Sequence, residues 1–180
     1  MWYVVQTMVD REESAIEKCR TALDREVATR VFTPKCQLPR KFHGEWQNIE
    51  KVAFPGYVFI ESDSPAELEK LLMRIPSVVT PVRIGGGFYP IRTDEEAVLQ
   101  KMMDANDCIR SSVGYIVDEK LVVEEGPLQH FADLVKKMER HKRWADVEVI
   151  LFEECKYMRV GLEVIARLTA EEYREMRESA

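Results

Sequence analysis

The eight residues Phe54-Pro55-Gly56-Tyr57-Val58-Phe59-Ile60-Glu61 set the terms for the rest of the chain. Pro55-Gly56 is a turn signal, and an unbroken apolar run follows it. Tyr, Val, Phe and Ile suit a pleated, half-buried surface. Alternation puts Tyr57 and Phe59 on one face, and Val58 and Ile60 on the other. A strand apolar on both faces is expected to be central, with helices or a partner protein over it. The residues themselves leave two outcomes open: a strand sealed in the core, or one whose aromatic face meets a partner.

The flanking sequence supplies elements that can cover such a strand. Trp2 to Thr7 reads as a first strand, and Asp10-Arg11-Glu12-Glu13 opens a helix with acids in its first turn, where they suit the dipole. Ala15, Ile16, Cys19, Ala22 and Leu23 follow helical spacing. Val27 to Pro34 reads as a second strand. Lys35 to Lys51 is polar, with a basic pair Arg40-Lys41, and suggests a hairpin or a mobile loop. Ser64-Pro65-Ala66-Glu67 has the signature of a helix start. That helix carries Leu68, Leu71, Leu72 and Ile75 and is expected to stop at Pro76. Val78 to Ile84 is a further expected strand, Gly85-Gly86-Gly87 a turn, and Phe88 to Ile91 a returning strand. Thr93-Asp94-Glu95-Glu96 caps a third helix, with Val98, Leu99, Met102 and Met103 on its apolar stripe. The sum is an α/β sandwich over residues 1–105, an antiparallel-rich sheet flanked by helices.

Residues 106–114 lack periodicity and read as a linker. From Tyr115 onward only short strands follow, at Tyr115 to Val117, Lys120 to Glu124, Leu134 to Met138, Ala145 to Phe152 and Lys156 to Ile165. Close spacing of short strands predicts a small all-β barrel over residues 115–180. Its charged tail, Thr169 to Ser179, is expected to be helical.

Bulk numbers narrow the function classes. A chain of 180 residues holds one domain or two small ones, and 46% hydrophobic content is enough for a core. The formal charge of −6 gives no general nucleic-acid footprint, so any such binding must come from a local patch. No apolar run approaches membrane-span length. The N-terminus is strand-like at once and lacks a basic leader, so no signal peptide is expected. Cys19, Cys36, Cys108 and Cys155 are scattered and form no CxxC pair, which fits buried thiols in a reducing cytosol and a cytoplasmic location.

Two stretches resemble a known family. WYVVQT at the N-terminus, with FPGYVFIE in the middle, resembles the N-terminal domain of NusG transcription factors. Gly126-Pro127-Leu128, the segment Lys136 to Arg143, and Val160-Gly161-Leu162-Glu163-Val164-Ile165 resemble the KOW module of the same family. The short length and the basic segment look most like specialised paralogues such as the LoaP antiterminators. His130 and Asp133 stand where KOW modules usually carry glycines. The resemblance implies a monomer that binds the clamp helices of bacterial RNA polymerase and suppresses pausing or termination. It implies polymerase contacts at Trp2, Tyr3, Phe54 and Tyr57, and a hairpin near upstream non-template DNA, with contacts at Arg40, Lys41 and His43. An amphipathic helix docking against buried aromatics would supply the physics of the first.

The residues add a patch of their own. Lys136, Lys137, Arg140, Lys142 and Arg143 stand against a single acid, Glu139, and His141 and Trp144 complete the run. Clustered cations beside an aromatic suit phosphate contacts plus base stacking, most readily on an RNA hairpin in the nascent transcript. An alternative is a ribosome- or translation-linked KOW protein that binds structured RNA alone. No constellation supports an enzyme, a cofactor or a metal site. The triple glycine lacks the GK[ST] ending of a phosphate loop, and the histidines stand apart from Cys or paired acids. The acid pairs Glu12/Glu13, Glu95/Glu96 and Glu171/Glu172 suit helix-dipole and solvent roles.

Overall fold

The structure, a computed structural model, describes residues 1–75 and 79–180. In chain order its elements are β1 (Trp2–Gln6), α1 (Glu12–Ala22), β2 (Arg30–Phe32), β3 (Lys35–Phe42), β4 (Glu45–Val52), β5 (Tyr57–Glu61), α2 (Pro65–Leu72), β6 (Thr80–Pro81) and α3 (Thr93–Met102). Then follow β7 (Cys108–Ile109), β8 (Ser112–Val117), β9 (Lys120–Glu125), β10 (Val135–Glu139), β11 (Trp144–Leu151), β12 (Glu154–Leu168) and α4 (Ala170–Ser179). Contacts divide the chain into two units that do not follow chain order. The first holds Met1–Pro34, Val52–Gln100 and Ile150–Lys156; the second holds Lys35–Lys51, Lys101–Val149 and Tyr157–Ala180.

In the first unit β5 is an inner strand of a four-stranded sheet ordered β2-β5-β1-β6. It runs antiparallel to β1, with Tyr3 opposite Ile60 and Val4 opposite Phe59, and antiparallel to β2, with Phe32 opposite Phe59. Both faces are covered. Val58 and Ile60 join Tyr3, Val5 and Val31 against Ala15, Ile16 and Cys19 of α1 and Leu68 and Leu72 of α2. On the other face Phe59 packs 6.2 Å from Trp2, 5.7 Å from Phe32 and 6.3 Å from Phe54, ring centre to ring centre. The aromatic face of the strand is therefore part of the interior.

Two expectations change here. β6 is only two residues long, and Phe88 to Ile91 forms no strand. Pro90 has no N–H to give a ladder, and Phe88 instead stacks on Tyr3 at 4.9 Å. Gly85 (φ 57°) and Gly86 (φ 85°) make the expected turn, closed by a bridge between Ile84 and Gly87. The expected helix stop at Pro76 and strand start at Val78 lie outside the described residues.

In the second unit the polar stretch expected as a hairpin or loop is a β3–β4 ribbon, turning at His43 (φ 49°) and Gly44 (φ 90°). β3 also pairs in parallel with β7, Cys36 opposite Ile109, so the stretch expected as a linker, 106–114, holds β7 and the start of β8. The expected all-β part is a five-stranded sheet ordered β10-β11-β12-β8-β9. On β11, Ala145, Val147, Val149 and Leu151 alternate inward, the period of a half-buried strand. His130 and Asp133 fit without glycine. They lie in two 3-10 turns, Pro127–His130 and Ala132–Leu134, and the left-handed residue is Gly126 (φ 97°) just before them. Gly161 of β12 is needed for space: a Cβ there would fall 2.8 Å from the Gln37 carbonyl oxygen and 2.8 Å from Pro39 Cδ. Its hydrogen lets β12 run against the foot of the ribbon. α4 begins with a capping box, Thr169 and Glu172.

Candidate functional site

The four aromatics expected at a polymerase contact fall into two groups. Trp2, Tyr3 and Phe54 are 1%, 1% and 4% exposed. They fill the core, so the expectation that they line an open face is not met. The cause is the strand between them: Phe59 points away from the helices, and Trp2, Phe32 and Phe54 shield it from water. Tyr57 differs. It is half-buried at the start of β5, and its hydroxyl accepts a hydrogen bond from Gln6 Nε2 at 3.2 Å. Its ring stacks on Phe152 at 5.3 Å, with Lys156 Nζ 5.6 Å from the ring centre.

The turn carrying Phe152 is held in place by a buried acid. Phe152 (φ 58°) and Glu153 (φ 62°) both occupy the left-handed region, which costs a bulky side chain energy. Glu153 N–H donates to Glu95 Oε1 at 3.3 Å, and Glu95 Oε2 accepts from Arg92 N–H at 3.1 Å. Glu95 is only 4% exposed, as is Glu12. These two acids thus hold backbone amides inside the fold, where the sequence suggested solvent-facing dipole partners.

The basic run sorts into clamped and free side chains. The Arg143 carbonyl accepts from Leu162 N–H at 3.0 Å, and the residue sits at φ 56°. Its guanidinium lies 3.1 Å from Glu163 and 4.4 Å from the centre of the Trp46 ring. Trp144 carries Arg159 at 3.6 Å, itself held by both oxygens of Asp146 at 2.8 and 3.0 Å. Lys137 Nζ is 5.7 Å from the same indole, and Lys136 pairs with Glu148 at 3.8 Å. Arg140, His141 and Lys142 are exposed, and their side chains have no hydrogen-bond or ion-pair partner among the described residues; the Arg140 carbonyl accepts from Arg143 N–H at 3.3 Å.

The residues expected at DNA belong to the same unit. Arg40 lies 5.3 Å from the Phe42 ring, while Lys41 and His43 are exposed. One cleft of about 420 Å³ is lined by Arg40, Lys41 and Trp46 from the ribbon and by His141, Lys142 and Trp144 from the β10–β11 turn. A second, also about 420 Å³, is lined by Trp46 with Arg140, His141, Arg143 and Glu163. Two sets of residues expected at separate ligands therefore share walls. Trp46 joins them and was passed over in the sequence; the signal was a lone indole, between Glu45 and Gln47, in an otherwise polar ribbon.

Among the described residues no three His, Cys, Asp or Glu side chains gather as metal donors. No helix there is long and apolar enough to cross a membrane. Cys19, Cys36 and Cys108 are buried and Cys155 is exposed. Burial pushes the Cys19 and Cys108 thiols up to about 11 and that of Cys36 higher still, the last with help from Cys108.

Residues 1–101 match the family model described as NusG, transcription termination factor nusG. The chain belongs to the NusG family. Its curated relatives include the transcription termination/antitermination protein NusG of Vibrio vulnificus, 28% identical over 159 residues covering 84% of this chain and 86% of that protein. The same protein of Pseudomonas aeruginosa is 27% identical over 160 residues, covering 84% and 89%. A solved structure described as "Domain interaction in Thermotoga maritima NusG" aligns with a TM-score of 0.53 at 23% identity, covering 91% of this chain and 93% of that one. This likeness shows a shared fold. The NusG-family architecture is an N-terminal α/β domain with an antiparallel sheet and a C-terminal all-β domain consistent with a KOW-type barrel. Membership places the protein among factors of transcription elongation, termination and antitermination.

Proposed function

We propose that this NusG-family protein is an antitermination factor of the specialised kind exemplified by LoaP. It binds the clamp helices of RNA polymerase through its N-terminal domain and an RNA hairpin of the nascent transcript through the basic C-terminal module. It works by binding alone, as a cytoplasmic monomer: holding polymerase in its processive state is a population shift that needs no bond chemistry and no cofactor.

The observation that carries the RNA half is the set Arg140, His141 and Lys142, exposed and with side chains free of partners among the described residues, in a chain whose net charge is −6. Cations kept free of carboxylates at one place in an acidic protein are available to release counterions from phosphates. The polymerase half is supported by family membership of residues 1–101. With Trp2, Tyr3 and Phe54 in the core, Tyr57 is the aromatic left to touch the clamp helices, and the buried three hold β1 and β5 in place beneath it.

The test is transcription in vitro through a terminator, with and without the protein, on templates with varied leaders. Read-through that depends on a leader hairpin, together with co-purification of polymerase, is expected. RNA binding without either would favour the ribosome-linked alternative.

A further inference from the structure

We propose that the β3–β4 ribbon and the β10–β11 turn are two walls of one RNA site, in which unpaired loop nucleotides stack on Trp46 while Lys41, Arg140 and Lys142 hold the phosphates. The assignment rests on RNA binding by the basic module and adds the ribbon, expected from the sequence at DNA, as half of the same surface.

Three observations meet here. The first is shared lining. Trp46 and His141 border both clefts, each about 420 Å³, one opening toward Arg40, Lys41 and Lys142 and the other toward Arg140 and Arg143. The second is a clamp. Arg143 reaches from the turn to the Trp46 indole at 4.4 Å, with its charge fixed by Glu163 at 3.1 Å, so the indole is held in a set place before any ligand arrives. The Gly161 hydrogen, which leaves room for Gln37 and Pro39, brings β12 and the ribbon close enough for that reach.

The third is the sorting of charge. Arg110, Lys136, Arg143 and Arg159 of this unit all face carboxylates, at Asp104, Glu148, Glu163 and Asp146. Lys41, Arg140 and Lys142 face none among the described residues, and they come from both walls. A phosphate chain crossing the clefts meets cations on either side of an indole.

Such a surface favours bases that are out of a helix. A duplex keeps its bases stacked and offers only its backbone, whereas loop nucleotides present a face to aromatic side chains. Trp46 and Trp144 in one cleft give two such platforms. His141, with no partner among the described residues and bordering both clefts, is placed to meet a 2′-hydroxyl, the group that separates RNA from DNA.

The experiment uses the full chain and fluorescence anisotropy with three labelled probes. These are an RNA hairpin with a fixed stem and randomised loop, the blunt RNA duplex of that stem, and the DNA hairpin of the same design. The wild type is expected to prefer the RNA hairpin. Trp46→Ala should weaken hairpin binding about tenfold and leave the blunt duplex unchanged, as loss of one stacked base would. Trp46→Phe should keep most of the affinity. Lys41→Ala and Lys142→Ala should each weaken binding and lower the salt slope by about one. Lys41 is exposed and unpartnered, so that variant reads binding even if Trp46→Ala unfolds. If Lys142→Ala loses affinity while Lys41→Ala, or a folded Trp46→Ala, binds as wild type, the two-wall site is overturned and RNA binding by the turn stands. If the ribbon variants lose only DNA-hairpin binding, the ribbon belongs to DNA and the proposal is again overturned. If no variant differs from wild type, the two-wall site and RNA binding by the turn both fall.

Discussion

The Glu12 carboxylate accepts a hydrogen bond from the Gly56 amide at 2.6 Å, and the two lie on different elements, α1 and the turn into β5. Glu12 is 4% exposed, Gly56 sits at φ 82°, and Thr7 N–H donates to the Gly56 carbonyl at 2.8 Å. The turn that aims β5 is thus tied from both sides. Removing the carboxylate leaves a buried amide without a partner, so Glu12→Ala is expected to destabilise the fold by about 2–3 kcal/mol. Glu12→Gln, which keeps an acceptor, should cost less. Gly56→Ala should cost about 1–2 kcal/mol for its left-handed backbone, with added crowding because the new Cβ would stand 3.1 Å from the Thr7 carbonyl oxygen. Urea unfolding of the three variants checks the order.

Phe54 and Tyr57 should separate stability from binding. Phe54 is core, and Phe54→Ala is expected to cost about 3–5 kcal/mol, in common with other large buried deletions. Any loss of polymerase binding in that variant then follows unfolding. Tyr57→Ala should remain folded and lose polymerase in a pull-down. A stable Phe54→Ala variant, or undiminished binding by Tyr57→Ala, would contradict the division.

Within the turn, Arg143 should behave unlike its neighbours. Arg140→Ala and Lys142→Ala remove exposed charges and should change stability by less than about 0.5 kcal/mol. Arg143→Ala loses the Glu163 pair and the contact over Trp46, and should cost about 1–2 kcal/mol. The triple alanine variant should lose RNA affinity, and wild-type binding should fall steeply with salt. Denaturation curves and anisotropy at several salt concentrations read both effects.

Asp104 gives the second unit an acid sensitivity. Burial pushes its carboxyl up, but Arg110 Nε at 2.5 Å, with the amides of Asn106 at 2.8 Å and Cys108 at 3.1 Å, outweighs it and holds the carboxyl below the ordinary range. A depressed carboxylate contributes stability above its unfolded value, near 4, and loses it as pH falls through the lower folded value. Asp104→Asn is expected to be about 1–2 kcal/mol less stable than wild type at neutral pH. The gap should close below about pH 4, the range in which the wild-type carboxylate takes up its proton. Urea midpoints of both proteins across that range test the sign.

The strands were readable because their signals are local. Alternation on Tyr57 to Ile60 set the two faces of β5, and the charged run Thr169 to Ser179 marked α4. What covers the aromatic face was not readable, since Phe32 and Trp2 arrive from other strands, and spacing alone does not say whether a neighbour closes a face. Glu12 and Glu95 misled for the same reason: an acid in a first helical turn looks solvated until a distant amide comes to it. Phe88 to Ile91 carried strand-like residues, and Pro90 outweighed them. The shared walls of the basic surface escaped because Trp46 and Arg143 lie far apart in sequence, and a polar ribbon gives no sign of the element it will meet.

Three thiols are sealed and held protonated by burial, while Cys155 stands exposed at the start of β12, three residues after Phe152. The unaltered polypeptide therefore offers one accessible attachment point for a maleimide dye, with no cysteine needing replacement. A fluorophore fixed there sits within a few residues of the ring that covers Tyr57. If polymerase docks at Tyr57 as proposed, the emission of that fluorophore should change in real time when polymerase is added.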